Sequence, residues 1–560
     1  MKKITGFLLV AFLAARINAQ TQIPIPPLVE GTNFNLIPQT GLAEIYPGVQ
    51  THTMGYNGAI LGPTLLLEKG ETVAINVHNQ LGDTTTTHWH GLHVSPSNDG
   101  SPHTPIMEGD TWAPVFEVMD NAATYWYHPH LHGKTLSQVV KGMAGFIIVR
   151  DAVESALVLP RTYGVDDVPL VFQWKTFNAS KQIVETDEQD NEVLVNGVLR
   201  GSALNLPAQV VRLRLLNGSS HRYFDFGFAN SLAFKQIAGD GGLLDAPVSM
   251  TKLILGPGER AEILVDLTGK EGQTLTFRQF GSQLPQGYPG GMMMMMGGNN
   301  MMGPLDDTDF DLMSIHVTAP TANAVTAIPS TLVANTPYSQ AGAIPRSFGM
   351  TAQPMMSMTN FFINGLKFDM ETINFEAELG KTEVWTLTNS TMMAHPFHVH
   401  GLSFYVISVN GAAPPLNLKG RKDVVTVPPM QGQVKIVVRF EDFADPEMPY
   451  MYHCHILSHE DTGMMGQFLV TSSSSSTTEL EPSSTCPICI DDLPLPKGIE
   501  LSKVVRIEVF NLGGRLMRAL EAELVNGASI DVSDLPTGGY MMKMSDATGK
   551  TVAVQRFFKN

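Results

Sequence analysis

A chain of 560 residues with a formal charge of -17 is too long for one hydrophobic core and calls for three or four domains. Its 43% hydrophobic and 16% charged content excludes a disordered polymer, and the negative balance excludes a binder of the nucleic-acid backbone. With three cysteines in all, a disulfide framework is excluded too, so packing must hold the domains together.

The N-terminus reads as an export signal, residues 1–19. Lys2 and Lys3 are followed by an apolar stretch over 6–15, and Ile17-Asn18-Ala19 is a cleavage site before Gln20. That stretch is too short to span a bilayer, and no later segment suits one, so stable membrane insertion is not expected. Residues 20–157 contain alternating apolar runs such as 72–77, bounded by Gly, Pro and Asn. The same style returns at 210–216 within 158–325, and at 383–387 and 434–440 within 326–471. These patterns predict an all-β chain of three β-sandwich domains with those limits. A serine run opens a linker at 472–498, and 499–560 form another small strand-rich unit.

Histidine is distributed unevenly. Seventeen histidines scattered at random would give about half an HxH pair. Five pairs occur, in His88-Trp89-His90, His128-Pro129-His130-Leu131-His132, His398-Val399-His400 and His453-Cys454-His455. On a strand, residues two apart share a face, so each pair presents two imidazoles side by side. Imidazole alone does not choose among zinc, copper, iron and nickel. The last cluster does, because Cys454 is followed by His459 and Met464, with His395 upstream. One thiolate, two imidazoles and a weak thioether are the ligands of a blue-copper electron-transfer site. Should His453 and His455 bind a second metal group, electrons would reach it from the thiolate through a few covalent bonds.

The sequences His88-Trp89-His90-Gly91, His128-Pro129-His130-Leu131-His132-Gly133, His395-Pro396-Phe397-His398-Val399-His400-Gly401 and His453-Cys454-His455 through Met464 resemble the four copper motifs of multicopper oxidases. Bacterial copper efflux oxidases and laccase-like enzymes are the nearest subgroups. The likeness extends over all three sandwich domains, and Gly256-Pro257-Gly258-Glu259-Arg260-Ala261-Glu262 also looks like a family segment. The resemblance implies cupredoxin-like domains and four copper ions. His395, Cys454, His459 and Met464 would hold a type 1 copper, and His88 and His398 a type 2 copper. His90, His128, His130, His400, His453 and His455 would hold a type 3 pair. Asp99 and Glu460 match family acids near the cluster and would relay protons to dioxygen. His93, His103 and His132 are expected to stay outside the ligand set. His52, His78, His221 and His316 follow no pattern.

The resemblance leaves the electron donor to this chain's own residues. Met292, Met293, Met294, Met295 and Met296 lie between glycine pairs that keep them out of a helix, and Met301 and Met302 follow. Soft, flexible thioethers suit Cu(I), and Asp306, Asp307, Asp309 and Asp311 are placed to draw in cations. Cuprous ion is therefore the expected substrate, with phenolic donors the alternative. A looser group, Met350, Met355, Met356 and Met358, precedes the third domain. Stretches 505–515 and 534–540 resemble the C-terminal sorting domain of type IX secretion substrates. That implies periplasmic transit, contact with the secretion machinery, and release or surface display. Cys486 and Cys489 form a CxxC pair before it, for which a catalytic role is not expected.

Overall fold

The computed structural model describes residues 20–186, 189–292, 303–353 and 360–472, and parts of 492–559. The expected signal, most of the methionine run, Met355, Met356, Met358, Cys486 and Cys489 lie outside the described residues. The chain divides into two compact units, 1–473 and 474–560.

In the first unit three β-sandwiches follow one another. The first packs a five-stranded sheet, in the order Leu28–Glu30, Thr64–Glu68, Gly145–Arg150, Ala123–His128 and His88–His90, on a four-stranded one built around Thr72–His78. The second packs a seven-stranded sheet centred on Val210–Asn217 against a five-stranded sheet that includes Phe224–Phe228 and Lys252–Leu255. Two five-stranded sheets make the third, one carrying Phe375–Glu378, Met465–Thr471, Asp445–Cys454, His395–Val399 and Val424–Val427 in that order. Each sandwich has its own apolar core. This is the predicted all-β architecture.

Alternation along these strands sets up the site. Phe397, Val399, Tyr450, Tyr452 and Cys454 face the third core. Their neighbours His398, His453 and His455 are just as buried but stand outside that core. Successive residues of a strand face opposite sides, so one strand sends its thiol inward and two imidazoles outward. The alternating run at 210–216 also forms a strand, and its Arg212 and Arg214 are buried, held by Glu154, Glu262 and Asp167. Asp306, expected to attract cations, is likewise committed: Arg222 donates to both of its oxygens.

The second unit carries a four-stranded sheet in the order Leu516–Glu521, Arg506–Asn511, Gly538–Ser545 and Thr551–Lys559, with Ile507, Val509, Met542 and Met544 buried. Among the described residues no helix is long and apolar enough to cross a membrane.

Candidate metal centre

Four groups of histidine and cysteine donors converge, each with donor atoms within 4.8 Å of one another. They are His395, Cys454 and His459; His130, His400 and His453; His90, His128 and His455; and His88, His90 and His398. All are buried. The first group lies inside the third sandwich. The others draw from the first and third: His88–His90 pairs with Ala123–His128 at the edge of one sheet, and His395–Val399 pairs with Asp445–Cys454 in the interior of another.

Hydrogen bonds fix which nitrogen is bare on six of these rings. His88 and His398 donate Nδ1–H to the carbonyl oxygens of Asp99 and Asp423, both at 2.8 Å. His128 does the same to Pro129 at 2.9 Å, and His453 to Cys454 at 3.1 Å. His400 donates Nδ1–H to Asp99 Oδ2 at 2.7 Å, and His90 donates Nε2–H to Asp423 Oδ1 at 3.1 Å. Carbonyl and carboxylate oxygens only accept, so each outer nitrogen carries the proton of a neutral ring. Burial keeps five of them neutral, pushing His453 down to about 3 and His90, His128, His398 and His400 well below the ordinary value.

The inner nitrogens are therefore lone pairs, and they face one another. His400 Nε2 lies 3.2 Å from His453 Nε2, and His90 Nδ1 lies 3.3 Å from His128 Nε2. His88 Nε2, His398 Nε2 and both nitrogens of His455 have no hydrogen-bond partner. Bare lone pairs in apolar surroundings repel and stay desolvated unless cations lie between them. This donor set fits resident metal ions.

The sulfur group makes the same case. Thr391 Oγ1 lies 2.8 Å from His395 Nε2, and its own hydrogen is turned to Asn389 Oδ1 or Met393 O, so it accepts from the ring. His395 is left with a bare Nδ1 3.4 Å from Cys454 Sγ; His459 Nδ1 is 3.6 Å from that sulfur. Burial pushes the Cys454 thiol well up, so a thiolate persists there only beside a cation. Met464 is fully buried in the same core, and its carbonyl accepts from the Cys454 amide at 3.0 Å.

Both expected acids lie against the histidines. Asp99 reaches His400 with one oxygen, while Oδ1 stands 3.4 Å from His88 Nδ1. Glu460 is 1% exposed, 3.3 Å from His453 Nδ1 and 3.6 Å from His130 Nδ1. Burial, and then neighbouring Asp461, hold its carboxyl well above the usual range. His93, His103 and His132 stand apart from the four groups, against Asp442, Gln467 and Phe368. Met292 is 52% exposed where the described chain stops.

Two residues without an assigned role complete the surroundings. Asp423 holds His90 and His398 and receives a two-pronged bond from Arg260, at 2.7 and 2.6 Å. Arg260 comes from the second sandwich, so all three sandwiches meet here. Close packing demands glycine nearby: a Cβ on Gly91, at φ +93°, would meet Asp423 and Arg260, and one on Gly258 would strike the His455 ring. His221, which follows no sequence pattern, lies beside His459 with ring centres 5.9 Å apart.

Cupredoxin-like sandwiches with this donor set define a copper-binding oxidase. The chain belongs to the multicopper oxidase family. Multicopper oxidase domains match residues 39–154 and 342–474, and a secretion system C-terminal sorting domain matches 497–559. Multicopper oxidase mco of Staphylococcus haemolyticus is 37% identical over 448 residues, covering 78% of this chain and 88% of that protein. Cell division protein FtsP of Escherichia coli is 31% identical over 470 residues, covering 82% of this chain and 94% of that protein. The laccase-like multicopper oxidase CueO from Ochrobactrum sp. superposes with a TM-score of 0.72 at 34% identity, covering 80% of this chain and all of that one.

Proposed function

We propose that this enzyme takes single electrons from a donor at the Cys454 site and reduces dioxygen to water among the paired histidines, using four copper ions. The observation that carries this is the tripeptide His453-Cys454-His455, whose middle residue belongs to one donor group and whose outer residues belong to two others. His395, Cys454, His459 and Met464 would hold type 1 copper. His88 and His398 would hold type 2, and His90, His128, His130, His400, His453 and His455 the type 3 pair. Copper so held supplies one-electron exchange at the sulfur and four-electron transfer to dioxygen between the imidazoles.

The chain supplies the protons. Glu460, kept neutral by burial, is a stored proton beside His130 and His453. Asp99 orients His400 and faces His88, a second carboxyl at the same place. The sequence limits of the three domains, 20–157, 158–325 and 326–471, put the donors in the first and third.

Cuprous ion is the substrate this reading favours. The loop that leads into the methionine run is tied beside the sulfur site: Ala394, next to His395, donates to Gly287 O at 2.9 Å, and Gly287 donates to Met292 O at 3.1 Å. Met292, Met293, Met294, Met295, Met296, Met301 and Met302 would offer soft ligands to cuprous ion. Phenols are the second reading, favoured by the likeness to an enzyme described as acting on lignin model compounds. A non-catalytic copper-binding or assembly protein on the same scaffold is the third reading, and the complete set of ligand residues, with no position missing, disfavours it. The sorting domain fits delivery through the periplasm to type IX machinery and then to the surface or the medium.

Metal analysis and oxygen uptake test these readings together. Four coppers per chain, an intense visible thiolate-to-copper band and oxygen uptake are expected. Deleting residues 292–302 is expected to lower kcat/KM for Cu(I) at least about tenfold, the scale of a lost ligand shell, and to spare 2,6-dimethoxyphenol. Undiminished Cu(I) oxidation would remove the methionines from the substrate site.

A further inference from the structure

Between the second and third sandwiches lies a cleft of about 380 Å³ that the histidine groups do not line. Its floor is the outer face of the pair Phe224–Phe228 and Lys252–Leu255. Phe224, Phe226, Leu253 and Leu255 point into the second core, which turns Asp225 and its register partner Ile254 outward into the cleft. Across from them stand Leu418 and Val425 of the third sandwich. The walls are largely apolar, and the chemistry sits at the base.

Asp225 is 3% exposed, and its Oδ1 has no hydrogen-bond partner. Among the described residues no cationic side chain lies within ion-pair distance of it. Lys252, the nearest candidate, gives its amine to Gln283 and lies 4.2 Å over the Phe280 ring. Glu259, the other acid here, is taken by Lys422 at 3.1 Å. Burial pushes the Asp225 carboxyl up to about 6, Lys252 working against the shift and Asp309 with it. A cation brought by a ligand would complete this carboxylate.

The cleft also has a contact with the sulfur site. Tyr288 is in its wall and packs edge-on against buried Tyr223, ring centres 5.0 Å apart. Tyr223 packs on Ala394, the residue before His395. Two aromatic rings thus bridge the opening and a donor of the Cys454 group.

We propose that this cleft is a docking site for phenols or catechols carrying a protonated amine, the ammonium on Asp225 and the ring against Tyr288. The proposal rests on the oxidase reading above and adds a second donor site to it. In each turnover step the donor's O–H bond breaks, the proton goes to water in the open cleft, and one electron passes by way of Tyr288 and Tyr223. The donor would leave as a phenoxyl radical, its electron taken up by copper(II) held at Cys454, with dioxygen as the final oxidant.

The test compares tyramine with 4-ethylphenol, its counterpart without the amine, on the copper-loaded full chain at pH 7. Asp225→Asn is expected to raise the KM for tyramine about tenfold, as loss of a charge-assisted bond would, with kcat and the KM for 4-ethylphenol changed less than about twofold. Asn417→Lys at the cleft wall is expected to act in the same direction by repulsion. Phenethylamine, which has no phenol to oxidise, is expected to bind the copper-loaded chain in calorimetry and to lose that binding in Asp225→Asn. An unchanged tyramine KM in both variants, or phenethylamine that does not bind, overturns the proposal. Wild-type enzyme that takes up no oxygen with any donor while still binding phenethylamine overturns the oxidase reading and leaves the docking site standing.

Discussion

The two halves of the site are built in opposite ways. The sulfur group is local, with His395, Cys454, His459 and Met464 all on the third sandwich and inside or beside its core. The imidazole groups belong to no single sandwich. Their donors cross from the first to the third, and the second contributes Arg260, which grips Asp423 behind His90 and His398. A site inside a core inherits that core's rigidity. A site at a junction is only as good as the ion pairs that fix the junction.

Substitutions can separate the halves, the largest effect first. Cys454→Ser is expected to remove the visible absorption and, because electrons enter there, oxygen uptake with every donor; stopped-flow and an oxygen electrode read both. Glu460→Gln is expected to slow oxygen reduction about a hundredfold or more, the usual share of a positioned acid, with the visible band intact. Unchanged turnover in that variant would return Glu460 to a structural role. Arg260→Gln strands the buried Asp423 carboxylate. The expected result is copper binding weakened about 10–100-fold among the imidazoles, read as copper content per chain, while the visible band stays. Loss of the band as well would show that the halves are not independent.

The smallest effect tests the donor side alone. Asp225 is neutral below about 6 and charged above it, so an ammonium is held better as pH rises. The KM for tyramine is expected to fall about tenfold from pH 5 to 7, with the KM for 4-ethylphenol nearly flat. A parallel fall for both would assign the pH dependence elsewhere.

How much of this the sequence disclosed depends on how each residue acts. Metal donors are few in kind and come two apart on strands, so His88 to His90 or His453 to His455 stand out in a linear string. Asp423 does not, because its salt bridge to Arg260 spans 163 positions and leaves no local spacing. Within Arg421-Lys422-Asp423 the aspartate looks like part of a solvated charged turn, yet it is completely buried. The apolar strand Val424–Val427 that follows at once was the available hint that the chain had already turned inward. Asp306 misled in the opposite sense, since nothing nearby in sequence announces Arg222. The three sandwiches were legible from alternation alone; their meeting point was not, because it is made of single side chains from distant strands.

The strand ending at Cys454 carries a further consequence for how such a protein can vary. Its side chains are sorted by parity, odd positions to the junction and even ones to the interior. Gaining or losing one residue between Tyr450 and His453 would swap the two sets together, carrying a sulfur out to the imidazoles and imidazoles into the hydrocarbon. Insertions tolerated in the loops elsewhere would here erase both centres in a single event.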